Sequence, residues 1–576
     1  MDNKKIAEMF EEIADMLELD EEKDRHFEVR AYRKAALTID TLQEDIRELY
    51  EKRGEEGLLE LPGIGKGIAG SIIEFLEKGK MSKYDDFKKR YPVDFKGLSN
   101  IQGLGAKRIF RLYKSLGVKN MVTLKAAVEK HQIRNLGGFG KKSEEEILKG
   151  IERVESSKGR LLLGSALPEA ETIISKIKKS GLVDAVELAG SARRMRETVG
   201  DLDILVISNK GKEVMDFVTD MEDVSGVVVK GPTKTTVMLK IGITCDVRVV
   251  KKESIGAALQ YFIGNKDHNV KVRQIAIKKG YKLNEYGLFD SKGKRIAGKN
   301  EKEIYEKLGM QIMDPEMRED RGEVELSLEH KIPTLIQLGD IRGDLHTHTN
   351  HSDGSDTIED MILEARKIGR EYIGISDHSK SEYVARGMDD KKFSKHFDEM
   401  DKIAGKIEDI TVLKSAEIDI LKDGSLDLQK KTLERMDYRL AAVHTNTNMG
   451  KEEMTNRIIK AFESGYVDIL AHPTGRLIQK RDPINVDLDR IFESARENNV
   501  IMEIDSFPDR LDLADENVLK AKREYGLKFS IGSDSHSKSQ LGFMRYGVGT
   551  AKRGWLTKEE VVNTYPLSKL KKLFGR

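Results

Sequence analysis

Three aspartates stand in apolar, strand-like runs near the middle of the 576-residue chain. Asp201 and Asp203 are separated by one residue, so on a strand both side chains point to the same face. Asp246 lies in a later apolar run, which as a neighbouring strand would bring a third carboxylate to the pair. Carboxylates gathered in this way bind shared divalent cations. The three aspartates are therefore predicted metal ligands and catalytic residues.

A short segment before these aspartates has the residue types that hold phosphate. Gly190 and Ser191 follow a strand-like run and come just before Arg193, Arg194 and Arg196. Turn N–H groups and guanidinium groups both bind phosphate oxygens. Asp-x-Asp alone is also common at ordinary strand ends on a protein surface. The combined spacing favours a triphosphate site beside a metal site.

A second set of reactive side chains occupies the C-terminal part of the chain. Six of the chain's 12 histidines stand there just after apolar runs. Because the ends of successive parallel strands converge at one mouth of an α/β barrel, these side chains should share one site. A lone buried histidine is usually a core residue, but six at such positions indicate metal. They are His346, His348, His378, His444, His472 and His536.

The N-terminal part has the three- and four-residue apolar spacing of helices and contains repeated glycine-rich turns. Leu61–Ala69 and Ile101–Arg108 each open a predicted helix, and Leu136–Lys141 is a looser third copy. One such turn could be an ordinary corner between helices. Two turns with basic residues after the glycines favour a non-specific hold on DNA phosphates, as in a helix-hairpin-helix element. The predicted DNA-binding residues are Gly63, Gly65, Lys66, Gly103, Gly105 and Lys107.

The composition limits the class of protein but does not identify a binding partner. The net charge is +1, so a nucleic-acid partner has to be inferred from local patches. The sequence has neither an apolar run of about 18 residues nor a signal-peptide pattern, which predicts a cytoplasmic protein without a membrane partner. A single cysteine, Cys245, excludes an internal disulfide and is predicted to be a small core residue. We expect a monomer.

The order Gly-Ser, two arginines, Gly-Asp-x-Asp and a later Asp-x-Arg resembles the family X DNA polymerases, which include polymerase beta. The resemblance implies Mg²⁺ or Mn²⁺ at the aspartates. It implies that Ser191 and Arg194 hold the leaving phosphates, that Asn269 touches the minor-groove edge of the incoming base, and that Arg273 contacts the template. The nucleotide-binding residues that it implies are Gly190, Ser191, Arg194, Gly200, Tyr261, Phe262, Gly264, Asn269 and Arg273.

The same resemblance places Tyr261 and Phe262 at the sugar, where they crowd a ribose 2'-OH. Spacing alone would instead favour plain aromatic core for this pair. The Thr and Ser usual in the motif are Ile263 and Asn265 here, so sugar discrimination is expected to differ in degree.

The C-terminal set is similar to the PHP phosphoesterase family, which binds up to three metals. Zinc, manganese or iron would suit mixed imidazole and carboxylate ligands, and the sequence does not choose among them. Such metals can make a shared hydroxide nucleophilic toward a phosphodiester. Glu417 is the expected bridging ligand, and Arg476 is expected to contact substrate phosphate. The implied ligands are His346, His348, Asp353, His378, Glu417, His444, His472, Asp534 and His536.

Together these patterns predict a multidomain α/β protein. Its parts are helical helix-hairpin-helix N-terminal domains, a nucleotidyltransferase-type palm with a mixed sheet, a small thumb and a C-terminal distorted (β/α)7 PHP barrel. The predicted boundaries are 1–95 for a small DNA-binding domain, 96–165 for a duplex-binding subdomain, 166–253 for the palm, 254–315 for the nucleotide-selecting thumb, 316–338 for a polar linker and 339–576 for the PHP domain.

The resemblance implies a DNA-directed DNA polymerase that fills short gaps in repair, with a PHP 3'-5' exonuclease, and possible extensions to 3'-phosphatase or abasic-site cleavage. Its partners would be gapped or primer-template DNA and deoxynucleoside triphosphates. One alternative is a DNA-binding scaffold with an inert polymerase site. Another keeps the PHP part as a structural domain or a small-molecule phosphatase.

One activity of polymerase beta-like small domains is expected to be weak. Their Schiff-base lysine removes a 5'-deoxyribose phosphate. Alignment of the first glycine-rich turn places Ser71 at the nucleophile position and Gly67 at an accessory lysine position. Neither residue can form an imine, and Lys66 more readily meets a phosphate.

Overall fold

The computed structural model describes residues 2–19, 25–40, 42, 45–99, 101, 103–156 and 159–575, and Gln102 of the second glycine-rich turn lies outside them. The chain divides into two compact units, Met1–Lys158 with Gln479–Asp482, and Gly159–Ile478 with Pro483–Arg576. The helices of the first unit are α1 (Asp2–Glu18), α2 (His26–Asp40), α3 (Ile46–Leu59), α4 (Lys66–Lys78), α5 (Ser82–Arg90), α6 (Phe95–Ser99), α7 (Ala106–Leu116), α8 (Met121–Glu129) and α9 (Lys141–Ser156).

The glycine-rich turns of the first unit repeat one backbone geometry. Gly63, Gly103 and Gly138 have φ of 82°, 80° and 80°, a left-handed conformation that glycine adopts without steric cost. Gly65 and Gly105 then stand at the N-caps of α4 and α7. The third turn, which the sequence indicated only loosely, therefore resembles the other two. A core cluster of described residues runs through both 1–95 and 96–165, so the boundary between them stays a prediction.

The palm is a five-stranded mixed sheet in the order β2-β4-β7-β6-β5. Its central strands β4 and β7 are parallel, and the other neighbours are antiparallel. Cys245 is buried on β7, as the sequence predicts. The helices and strands of this part are β1 (Leu161–Leu162), α10 (Leu163–Lys179), β2 (Ala185–Ala189), α11 (Gly190–Arg193), β3 (Thr198–Val199), β4 (Asp201–Ile207), α12 (Gly211–Thr219), β5 (Val224–Lys230), β6 (Lys234–Leu239) and β7 (Thr244–Val250).

The thumb follows with two helices, a three-stranded antiparallel sheet and two short helices. Its hydrophobic core joins both helices to the sheet and continues into residues beyond 315. The elements are α13 (Ile255–Ile263), α14 (Lys266–Lys278), β8 (Lys282–Asn284), β9 (Gly287–Phe289), β10 (Arg295–Ala297), α15 (Glu301–Lys307) and α16 (Glu323–Leu328).

The prediction of a polar linker at 316–338 is wrong for its first part. Arg318 is only 1% exposed and donates from Nη1 to Glu301 Oε1 at 2.5 Å. Glu323 is fully buried, with Oε1 2.9 Å from Nδ1 of the buried His268. The charged residues of this segment can be buried because they are paired with other groups inside the thumb. Polarity was therefore a poor guide to solvent exposure here.

The C-terminal part is a barrel of parallel strands with helices outside. One sheet has the order β11-β12-β13 and the other β14-β15-β16-β17-β18, and bridges at His378–Glu417 and Thr347–Ser535 join them. Because β13 and β14 are one interrupted strand in sequence, the barrel has the predicted (β/α)7 plan. The strands are β11 (Gly343–Asp344), β12 (Tyr372–Ile375), β13 (Thr411–Lys414), β14 (Glu417–Asp419), β15 (Leu440–Ala442), β16 (Ile469–Leu470), β17 (Ile501–Asp505) and β18 (Phe529–Gly532).

The helices of the barrel alternate with these strands, and the last ones follow β18. They are α17 (Ile358–Lys367), α18 (Asp390–Ala404), α19 (Lys430–Leu433), α20 (Lys451–Glu463), α21 (Leu488–Asn498), α22 (Asp515–Lys520), α23 (Met544–Arg553) and α24 (Leu567–Leu573).

Candidate active sites

The palm sheet brings the three predicted aspartates together. Asp203 on β4 is paired in register with Asp246 on the parallel strand β7, and Asp201 lies two residues before Asp203 on the same face. Gly190 packs against this pair with φ of 66°, and a Cβ atom added to it would lie 2.3 Å from Asp203 Oδ2. The glycine is therefore required by both backbone conformation and space.

The charges around these carboxylates differ. Burial and the neighbouring charges of Asp201 and Asp246 raise the pKa of Asp203 to about 6. Burial also disfavours ionisation of Asp246, but hydrogen bonds from Thr236 and Lys234 lower its pKa overall. Thr236 Oγ1 donates to Asp246 Oδ1 at 2.5 Å, and Lys234 Nζ lies 3.1 Å from Oδ2. Like charges on Asp203 and Asp201 explain why this site favours cations.

An open cleft of about 640 Å³ adjoins the aspartates. Asp201 and Asp203 line one part of it, while Gly200 and Asp246 are not in its lining. A Cβ atom added to Gly200 would lie 3.1 Å from Arg160 Nη1. The predicted nucleotide-binding residues in the lining are Gly190, Ser191, Arg194, Tyr261, Phe262, Gly264, Asn269 and Arg273.

The aromatic pair at the end of α13 faces this cleft. The rings of Tyr261 and Phe262 meet edge to face with centroids 5.0 Å apart, and Tyr261 is 36% exposed. The Arg248 guanidinium lies over the Phe262 ring, 4.6 Å from its centroid. Asn269 is held in place, because its Nδ2 donates to the Tyr261 carbonyl at 2.7 Å. The pair thus lines a cleft, in contrast to the alternative prediction that it is plain aromatic core.

The cleft lining also includes Arg196 of the arginine segment and three residues that the sequence motifs did not indicate, Arg160, Lys266 and Glu319. Arg160 and Arg196 add positive charge beside the glycine turn, and Lys266 begins α14. Glu319 adds the opposite charge, with Oε1 3.1 Å from Arg194 Nε. It comes from the segment predicted as a linker, so no motif pointed to it.

The barrel mouth gathers the second set of residues around Glu417. Donor atoms of eight of the nine predicted ligands fall into three groups, each within 4.8 Å: His348, Asp353, His378 and His536; His346, His348, Glu417 and Asp534; and His378, Glu417 and His444. The ninth, His472, has Nε2 2.7 Å from Glu417 Oε1. Glu417 thus touches five imidazoles, as a bridging ligand would.

These donor atoms fit divalent metal ions. Within the part of the chain that the structure describes, several buried donors lack a hydrogen-bond partner: His346 Nε2, His348 Nε2, His378 Nδ1 and Glu417 Oε2. Buried polar atoms without partners are costly unless another group satisfies them. The distance from Glu417 Oε2 to His346 Nε2 is 3.3 Å and to His348 Nε2 3.4 Å, spacings expected of ligands that share a cation. Mixed nitrogen and oxygen donors suit transition metals.

Buried carboxylates behind the ligands orient the imidazoles. Glu503 Oε1 lies 2.8 Å from His346 Nδ1, and Glu503 Oε2 accepts a hydrogen bond from the His472 backbone N–H at 2.7 Å. Asp419 Oδ1 accepts from the His444 backbone N–H at 2.9 Å. Such contacts fix ring orientation and raise ligand basicity. The sequence offered one signal for Glu503, a carboxylate within the otherwise apolar start of β17.

Beside the ligands lies another histidine group that the sequence reading did not single out. Donor atoms of His351, Asp377 and His396 lie within 4.8 Å of one another. Thr349 Oγ1 stands among them and donates to Asp377 Oδ2 at 2.6 Å, while the Thr349 backbone N–H donates to Asp377 Oδ1 at 2.7 Å. The group therefore anchors the loop that follows the ligands His346 and His348.

The expected phosphate contact of Arg476 stays a prediction, and its guanidinium is held by other groups of the chain. Its Nη2 lies 2.7 Å from Glu197 Oε2 and donates to the Leu511 carbonyl, and its Nε donates to the Arg510 carbonyl. The cation at the barrel site is Arg510, whose Nε lies 3.6 Å from Oδ2 of the ligand Asp534. Arg476 instead joins the palm to the barrel.

Among the described residues, no helix combines the length and the apolar character needed to span a bilayer.

Comparison with protein families gives four matches along the chain. Residues 1–81 match a helix-hairpin-helix domain, 95–153 a SAM-like helix-hairpin-helix tandem, 258–319 a DNA polymerase beta thumb and 344–565 a PHP domain. The thumb match reaches Glu319, in agreement with the packing of that segment.

Two kinds of curated relatives are similar to the chain, one over its whole length and the other over about a third of it. "Probable phosphatase" proteins of Thermoanaerobacter sp. and Clostridium acetobutylicum are 29% and 31% identical over 38% and 34% of this chain, and the matches cover 89% and 80% of those proteins. The "DNA polymerase/3'-5' exonuclease PolX" of Bacillus subtilis is 36% identical over 582 residues, with all of both chains covered. The chain therefore belongs to the PolX family, with a polymerase beta thumb and a PHP domain in one polypeptide.

Proposed function

We propose that the palm cleft adds deoxynucleotides to a DNA primer and fills short gaps during repair, including base-excision repair. The observation that carries this proposal is the Asp203–Asp246 register beside a cleft lined by eight of the predicted nucleotide-binding residues. The full-length relative is named a DNA polymerase, which supports the same activity. Gapped or primer-template DNA and deoxynucleoside triphosphates are the proposed substrates.

Each palm residue then has a role. Asp201, Asp203 and Asp246 would hold Mg²⁺ or Mn²⁺, which neutralises charge on the reacting phosphate and lowers the pKa of the primer hydroxyl. Asp246 would receive the 3'-OH proton directly or through water, once Lys234 Nζ and Arg248 Nη2 have moved from its Oδ2 atom. Ser191 and Arg194 would hold the leaving phosphates, while Tyr261 and Phe262 would exclude a ribose 2'-OH.

Extension of a labelled primer across a one-nucleotide gap, with Mn²⁺, tests this proposal. We expect the wild-type chain to add one nucleotide and the Asp246→Asn variant to lose extension by about a thousandfold, since the neutral amide binds the metal more weakly and does not accept the proton. Thr244→Ala, on the same strand opposite Asp201, is the matched control and should extend normally. Extension by Asp246→Asn within threefold of wild type would contradict the assignment.

We propose further that the PHP site removes nucleotides from a DNA 3' end. The support is the nine-ligand cluster at the barrel mouth, together with the exonuclease activity in the name of the full-length relative. Up to three zinc, manganese or iron ions would supply an activated water and stabilise the leaving oxygen. Arg510 would bind the phosphate that is cleaved, since its guanidinium is beside the ligand Asp534.

A second candidate for this site is a phosphatase, because relatives that match about a third of the chain are named probable phosphatases. A primer labelled at its 5' end and blocked by a 3'-phosphate separates the two functions. Exonuclease action yields a ladder of shorter products, whereas phosphatase action converts the primer to an extendable one of equal length. An abasic-site substrate in the same assay tests abasic-site cleavage. Turnover of p-nitrophenyl phosphate alone would favour the small-molecule phosphatase.

The first unit is proposed to hold the DNA backbone through its repeated turns. Gly63, Gly65, Gly103 and Gly105 are exposed, as are Lys66 and Lys107. Lys107 is available only in part, because its Nζ lies 3.6 Å from Glu18 Oε1. The domain boundaries given above, apart from the start of the linker, remain part of this proposal, as do a monomeric state and a cytoplasmic location.

A further inference from the structure

The last residue of α23, Arg553, reaches from the PHP barrel to the nucleotide cleft of the palm. Its side chain is 3% exposed, and its Nη1 donates to the Arg194 carbonyl at 2.9 Å. The same Nη1 lies 2.8 Å from Glu319 Oε1, and Nη2 lies 2.7 Å from Asp515 Oδ2. A buried arginine with three fixed partners has one orientation, so its charge is held at a defined place.

Glu319 is the shared partner of the palm, the thumb and the barrel. Its carboxylate, 8% exposed, meets Arg194 Nε at 3.1 Å and Arg553 Nη1 at 2.8 Å, and accepts from Asn265 Nδ2 at 3.0 Å. Arg194 is further fixed because its Nη1 donates to the Ile263 carbonyl. Asn265 stands where the family motif usually has Ser, and its amide is what reaches Glu319. The ion pair thus sets the orientation of the arginine that lines the cleft.

The Glu319 carboxylate places a negative charge beside the proposed triphosphate site, and Arg553 compensates that charge. A carboxylate beside a triphosphate site orients the arginine but repels the substrate, because like charges a few ångströms apart in a partly buried site interact strongly. Arg553 and Arg194 both contact Glu319 Oε1, so Arg553 shares in compensating the Glu319 charge. Removal of Arg553 would leave a buried carboxylate with less compensation, facing the incoming phosphates.

We propose that Arg553, from the PHP barrel, is a positioning residue for nucleotide binding in the polymerase cleft, acting through Glu319 and Arg194. The inference rests on the proposed polymerase function. It gives the barrel a role in polymerisation that is separate from its metal site. It also predicts a specific pattern in a double-mutant cycle, which a merely structural contact would not produce.

The experiment measures primer extension by the full chain at varied deoxynucleotide concentration. We expect Arg553→Met to raise KM for the nucleotide by about tenfold, with kcat within about twofold of wild type, because an uncompensated charge weakens binding of the phosphates. Glu319→Gln added to Arg553→Met should bring KM back to within about threefold of wild type, since it removes that charge. Arg553→Lys, which keeps the positive charge, should raise KM for the nucleotide less than Arg553→Met does.

Two controls separate this role from loss of the palm–barrel contact. Glu171→Gln removes another ion pair between these parts, with Arg545 at 3.0 Å, and should leave KM unchanged. Degradation of the primer without nucleotides should be equal in all variants, which reports an intact barrel. An unchanged KM in Arg553→Met, or a double variant no better than Arg553→Met, would overturn the proposal. Failure of the wild-type chain to extend primers would instead reject the proposed function.

Discussion

In the palm, three carboxylates from two strands stand beside an open cleft, and Asp201 is exposed to solvent. In the barrel, the nine predicted ligands, Glu417 among them, meet at one mouth, and His346, His348 and Glu417 are at most 1% exposed. Both sites have the chemistry to bind divalent cations. They differ in how completely the protein surrounds the ions.

That difference predicts how each site acquires its metal. Water can solvate the palm carboxylates, so the palm can remain folded without ions and bind them together with the nucleotide. The barrel donors include buried atoms without hydrogen-bond partners in the described chain, and burial of such groups is costly without a cation. The barrel should therefore keep its ions in the resting protein, as part of its folded structure.

Among the expected effects, the largest is that of metal removal on the melting temperature. Dialysis against a chelator should lower the melting temperature of the full chain by roughly 10 °C, because ligands bound a thousandfold above Kd stabilise by about 4 kcal/mol. Differential scanning calorimetry with and without added Mn²⁺ measures the shift. Asp201→Asn should show the same shift as wild type, whereas His346→Ala/His348→Ala should show little. An equal shift in all three proteins would contradict resident metal in the barrel.

The next effect concerns the close packing of the palm. Gly190→Ala would place a Cβ atom against Asp203 Oδ2 and strain a backbone with φ of 66°. We expect about a hundredfold slower primer extension, since displacement of a catalytic group by about 1 Å costs that much. Gly242→Ala is the control, because its φ is 92° but no described atom lies within 4 Å of an added Cβ. If the two variants lost equal activity, backbone strain alone would explain the result.

A smaller effect, on metal binding, is expected from substitution of a residue that contacts the predicted barrel ligands from behind. Glu503→Gln should weaken metal binding by about tenfold, because it loosens the orientation of His346 and of the His472 backbone. A titration of primer degradation with Mn²⁺ measures the change. Glu399→Gln, which removes an exposed partner of His351, should leave the titration unchanged. Equal midpoints for wild type and Glu503→Gln would remove Glu503 from this role.

The smallest expected signal is that of 5'-deoxyribose-phosphate lyase activity. Ser71 lies on α4 with its Oγ donating to the Gly67 carbonyl, and neither residue can form an imine. Borohydride trapping on a substrate with a 5'-deoxyribose phosphate should give at most weak cross-linking. Efficient cross-linking that maps to a lysine in residues 1–95 would show that this unit has the activity.

The six histidines could be singled out from sequence because each lies just after an apolar run, whereas the full set of nine ligands was implied by the resemblance to the PHP family. The palm aspartates were predictable for a similar reason, since i and i+2 positions share a strand face. Glu503 was missed because a single carboxylate in an apolar strand has no spacing pattern. The choice between Arg476 and Arg510 likewise depends on which guanidinium the fold places near Asp534.

The pairing of distant charges could not be predicted at all. Glu319 and Arg553 are separated by 234 residues, and only the fold of the palm, thumb and barrel brings them together. Polarity around residue 318 suggested solvent exposure, but Arg318 is buried against Glu301. Composition reports charge, whereas burial depends on partners from other parts of the chain.

The most direct test of two independent sites is to disable the barrel alone. In His346→Ala/His348→Ala, degradation of a gapped primer without nucleotides should fall to background, because two ligands of the cluster are lost. Nucleotide addition by the same protein should stay within about threefold of wild type, since the palm shares no ligand with the barrel. Retention of degradation, or loss of both activities, would contradict separate catalysis and point to a structural role for the barrel metals.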